Sequence, residues 1–79
     1  MTNLDIYELP AVSGAEPTAY CGGACTDGCV EVTALSDDAF ALTDNKLTRV
    51  GRTSPEIRMT GEELDVFAAE WVRERGLTV

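Results

Sequence analysis

Three cysteines are the residues of this chain best suited to chemistry. Cys21, Cys25 and Cys29 recur every four positions. Thiolates bind soft metals, exchange disulfides and act as nucleophiles. A structural zinc site wants four thiolate or imidazole ligands. The chain has no histidine and no fourth cysteine, so only Asp27 could complete such a shell. A helix would align the three thiols, but Gly22, Gly23, Thr26, Asp27 and Gly28 make the stretch a poor helix and a good loop. Cys29 opens an apolar strand and reads as a small buried hydrophobe. The expectation is free thiols with no bound metal or cofactor. A metal site on Cys21, Cys25 and Cys29 and a reversible Cys21–Cys25 disulfide stay open as alternatives.

Other catalytic constellations are missing from the sequence. Without histidine there is no ordinary Ser-His or Cys-His dyad. No glycine-rich phosphate loop is present. Asp37 and Asp38 are adjacent in a turn, and Glu62 and Glu63 serve a helix cap, so neither pair suits glycoside hydrolysis. The expectation is a protein that is not an enzyme.

The elements that must position these residues are few. Residues 1–19, broken by Pro10, Gly14 and Pro17, read as an N-terminal tail that is free to be mobile or to add a short strand or a turn of helix. Residues 20–79 read as a single small domain. Val30, Val32 and Ala34 alternate with Glu31 and Thr33, which predicts a strand. Ser36-Asp37-Asp38 supplies turn chemistry, and Phe40 and Leu42 mark a second strand. Ile57 and Met59, with Glu56 and Arg58 opposite, mark a short third. Thr60 and Glu63 fit a capping box. Leu64, Phe67, Ala68, Trp71 and Val72 then form one apolar helical stripe, and Gly76 is the stop. The predicted fold is α+β: a three-stranded antiparallel sheet packed by one C-terminal helix. Trp71 would be the largest core residue; a groove or dimer anchor is its alternative role.

Composition bounds the rest. Leu, Ile, Val and Phe make up 18 of 79 residues. That is just above the level, about 20%, below which highly charged chains stay disordered. So short a chain gains from association, and a homodimer is one way to supply missing core. The net charge is −8, and residues 1–48 hold eight acids against Lys46 alone. Direct binding to a phosphate backbone is therefore unfavourable. The first ten residues carry no base and no long apolar run, so neither a secretory signal nor a membrane span is expected. The default location is the cytoplasm, with reduced thiols.

Several segments together carry a family resemblance. They are Tyr20-Cys21-Gly22-Gly23, Cys29-Val30-Glu31-Val32, Asp44-Asn45-Lys46, and Met59-Thr60-Gly61-Glu62-Glu63-Leu64 with Phe67. Over about residues 18–72 the chain resembles the actinobacterial family known as domain of unknown function 397 (DUF397), the BldB-like and WhiJ-associated proteins. That family usually has serine where Cys21 stands, proline where Gly61 stands and tryptophan where Leu64 stands. Its usual Asp-Pro-Asp-Gly run is absent from residues 47–54, and the tryptophan that usually precedes the first segment is absent as well. The resemblance implies no defined chemistry. It implies an accessory or antitoxin-like regulator, encoded beside helix-turn-helix proteins of the Xre or WhiJ type, in development or secondary metabolism, some members self-associating.

The expected function is therefore a non-catalytic regulatory protein that binds a cognate helix-turn-helix transcription regulator. Glu31, Asp44 and Lys46 are the expected partner contacts, on an acidic sheet face or rim. A Cys-based metal-binding or redox module is the alternative. A modified-peptide precursor fits less well, because the capped helix closes the C-terminal end.

Overall fold

A computed structural model describes residues 5–21 and 28–77. Among these, four strands form one antiparallel meander: β1 (Thr18–Tyr20), β2 (Val30–Leu35), β3 (Ala39–Asp44) and β4 (Ile57–Thr60), in the order β1-β2-β3-β4. A one-turn helix, α1 (Asn45–Thr48), follows β3, and α2 (Gly61–Glu74) follows β4 directly. The fold class matches expectation. The sheet has one strand more than expected, because Thr18-Ala19-Tyr20 pairs with Val32-Glu31-Val30. Three residues are too few for alternation to announce a strand.

The predicted apolar faces of these strands line up in the sheet. Ala34 opposes Phe40 and Val32 opposes Leu42 across the hairpin, and Leu42 and Phe40 oppose Ile57 and Met59. One face thus gathers Val30, Val32, Phe40, Leu42, Ile57 and Met59. The opposite face gathers Leu35, Ala39, Ala41 and Arg58. Between β2 and β3 the turn places Asp37 and Asp38 at φ 58° and 56°. Left-handed backbone is costly for most side chains, and aspartate tolerates it better than most.

The best-sealed core is not the one the helix was expected to cover. Leu35, Ala39 and Ala41 are buried on the other face, beneath Ile6 and Leu9. Residues 5–17 do this work. A turn of 3-10 helix, Ile6–Glu8, is capped by the Asp5 carboxylate. Ala11 then bridges to Leu35, Val12 donates to the Ala34 carbonyl, and Ser36 donates to the Pro10 carbonyl. Small side chains at Ala39 and Ala41 let this segment come close.

Arg58 fastens it. Its guanidinium donates to the carbonyls of Ile6 and Leu9, both at 2.9 Å, and pairs with Glu56 at 2.6 Å. It also lies over the Tyr7 ring, 5.9 Å from the centroid, and its backbone amide donates to the Tyr7 hydroxyl.

The helix itself is built as predicted. Thr60 and Glu63 form a reciprocal capping box, each bond 3.0 Å long. Gly76, at φ 72°, ends it in a Schellman motif, with Gly76 donating to Arg73 and Leu77 to Val72. Its entry is fixed by Gly61, whose amide donates to the Asp38 carbonyl at 2.7 Å. A proline there would lose that bond.

The packing of the stripe departs from expectation. Leu64 and Val72 are half-buried, but Phe67 and Trp71 are 55% and 54% exposed. Trp71 is therefore not the core's largest residue. The helix meets the sheet mainly at β4 and β3, and much of its stripe stays open to solvent. The radius of gyration, 14.1 Å, exceeds the roughly 11.6 Å of a compact chain this long.

Replacing Arg58 by Ala should cost about 2–3 kcal/mol, since charge-assisted bonds to two carbonyls are lost together. Arg73→Ala, which removes an exposed pair with Glu70, should cost under about 1 kcal/mol. Thermal melts of the two variants check the contrast; equal melting points would refute it.

Candidate functional site

Two places gather side chains of functional interest. The first is the end of the sheet that holds Cys21 and Cys29 beside two of the expected contacts, Asp44 and Lys46. Tyr20 opposes Val30, so the next residues outward, Cys21 and Cys29, are also opposite each other. Their Cα atoms lie 4.6 Å apart and they form a disulfide. That spacing is the one at which facing side chains of an antiparallel pair come closest. Cys29 is buried as expected, but it is bonded, not a free thiol. The Cys21–Cys25 pairing is replaced by Cys21–Cys29. Cys25 and Asp27, the other candidates for a metal shell, lie outside the described residues. Among the described residues no three Cys, Asp or Glu side chains are grouped to hold a metal ion.

Asn45 locks this end. Its side-chain oxygen accepts from the Cys29 amide at 2.6 Å, and its own amide donates to the Cys29 carbonyl at 2.9 Å. Gly28, at φ 123°, lies against α1, and a Cβ there would sit 2.9 Å from the Lys46 backbone. The Cys29-Val30-Glu31-Val32 and Asp44-Asn45-Lys46 segments therefore touch, and their shared work is to close the hairpin.

The three expected contacts are not brought into one patch. Asp44 opposes Val30, whereas Glu31 opposes Thr43 and Ala19 and so points to the other side of the sheet. Asp44 caps α1 by accepting from the Lys46 amide at 2.9 Å, and its carboxylate pairs with the Lys46 ammonium at 3.0 Å. The Lys46 amide, then its ammonium, hold the Asp44 carboxyl below the ordinary aspartate pKa.

The second place is the half-covered face. Phe67 is common to three adjoining clefts. One, of about 330 Å³, lies between sheet and helix and is walled by Tyr20, Val30, Val32, Leu64 and Ala68. Another, of about 450 Å³, is lined by Met59, Thr60, Val66, Glu62 and Glu63. The third, of about 230 Å³, runs along Val66, Trp71, Glu70 and Glu74. The last two are lined by carboxylates, and the cleft between sheet and helix has no charged residue in its lining. Arg75 reaches the Trp71 ring from the helix end, 5.6 Å from its centroid. Sequence reasoning assigned this stripe to the core; the surplus that betrays it is a five-residue apolar stripe over a sheet whose other face also needs covering.

The clefts offer apolar contact and negative charge. Among the described residues no helix is long and apolar enough to cross a membrane. No protein-family model, curated protein or solved structure matches this chain.

Closing so short a loop with the Cys21–Cys29 bond is worth about 2.5 kcal/mol of denatured-state entropy. Reduction, or Cys21→Ser, should lower the melting temperature by about 10 °C or more. Cys25→Ser, which leaves the bonded pair intact, should not. A melt that dithiothreitol leaves unchanged would refute the pairing.

Proposed function

We propose that this is a non-catalytic regulatory protein that binds and modulates a cognate helix-turn-helix DNA-binding regulator of the Xre or WhiJ type, in the cytoplasm. The observation that carries the reading is the acid-rimmed apolar surface around Phe67 and Trp71. Contiguous exposed apolar surface bounded by charge marks a protein interaction site more often than a solvated face. A chain of net charge −8 does not hold DNA phosphates itself, but it suits a partner that does. The resemblance to DUF397 proteins points the same way.

A second reading, a redox-responsive module, is favoured by the Cys21–Cys29 bond. Disulfides in the cytoplasm are mostly transient and redox-sensing. Tyr20 and Val30, the immediate neighbours of the bonded cysteines, wall the cleft beside Phe67. Reduction would free β1 at the edge of that cleft.

The regulator encoded beside this gene should be retained by the tagged protein at about 50 mM salt and released at about 0.5 M, where the screening length falls to a few ångströms. Failure of retention at low salt, or no such regulator among the neighbouring genes, would contradict the reading.

A further inference from the structure

We infer that the clefts around Phe67 take a basic amphipathic helix of another protein, laid along α2 so that its apolar face fills them. The inference rests on the interaction reading above and specifies its contact chemistry.

Shape comes first. The three clefts share Phe67 and follow α2 from its first turn, at Glu62 and Glu63, to Glu74 near its end. That run is about 20 Å at 1.5 Å per residue. A long shallow groove of this kind fits the i, i+3, i+4, i+7 anchors of a helix.

Charge selects among occupants. Glu62, Glu63, Glu70 and Glu74 rim the groove. Of the nearby cations, Arg73 is engaged by Glu70, and Arg75 stacks on Trp71. A second copy would meet the patch with itself, as two-fold symmetry requires, and would bring the same excess of carboxylates, four against Arg73 and Arg75. An anionic lipid surface would be repelled in the same way. A helix with an apolar stripe flanked by Lys and Arg satisfies both demands.

Trp71 is the sole tryptophan and reports directly. The test titrates the full chain with two synthetic helical peptides sharing one Leu/Ile face, their polar faces all Lys/Arg or all Glu. The cationic peptide should shift Trp71 emission to the blue, saturably, and its affinity should fall at least tenfold on raising salt from about 50 mM to about 0.5 M. The acidic peptide should give no shift. Phe67→Asp should abolish the response, with circular dichroism checking its fold. Glu74→Lys, an exposed change compatible with the helix C-terminus, should weaken cationic binding about threefold. Equal binding of both peptides, no shift with either, or no effect of Glu74→Lys would overturn the inference. So would light scattering showing a dimer that already buries Trp71. A regulator retained by a protein that ignores the cationic peptide would sink this inference and leave the partner reading intact. A peptide bound by a protein that retains no regulator would do the reverse.

Discussion

The anchoring of residues 5–17 by Arg58 decides what the rest of this molecule can do. One guanidinium, only 15% exposed, gathers two backbone carbonyls, a carboxylate and an aromatic ring. With that segment held, Ile6 and Leu9 close over Leu35, Ala39 and Ala41. The side of the sheet bearing Arg58, Thr33 and Glu31 thus becomes the sealed side. The side richer in large apolar residues is left to a single helix.

A sheet of four short strands has two faces to cover, and the described residues supply one segment for each. The N-terminal segment lies flat on small side chains. The helix leaves β4 at an angle fixed by its capping box and by the Gly61–Asp38 bond, and its stripe passes over Val30 and Val32 with a wedge between. Phe67 and Trp71 stay half in water. Leaving such a surface open costs stability, since each half-exposed large side chain forgoes roughly 1 kcal/mol of burial. The Cys21–Cys29 bond, the cap and the Schellman stop hold the frame around that opening. The same surface gains what the monomer forgoes when another protein covers it.

Much of this was legible from residue order. The α+β class, the β2–β3 hairpin, the alternation of Ile57 and Met59, the capping box and the Gly76 stop follow from local rules, because each depends on neighbours a few positions apart. The misses are all long-range. β1 is defined only by its partner strand. The disulfide follows from that pairing and could not be seen without it. The roles of Arg58 and Ile6 depend on contacts some fifty residues distant. Trp71 sits on an apolar stripe, and such a stripe reads alike whether it meets the chain's own core or another protein's. Asp44 and Lys46, expected as partner contacts, also have a local role: Asp44 caps α1 and pairs with Lys46.

Native-state hydrogen exchange of the free protein measures the asymmetry between the two faces most directly. Amides of β2 and β3 around Leu35 and Ala41 should exchange slowly, near the limit of global unfolding, while those of α2 from Leu64 to Val72 should exchange at least tenfold faster through local opening. Protection of α2 equal to that of β2 and β3 would mean that the helix is already part of a closed core, with no open face left for a partner.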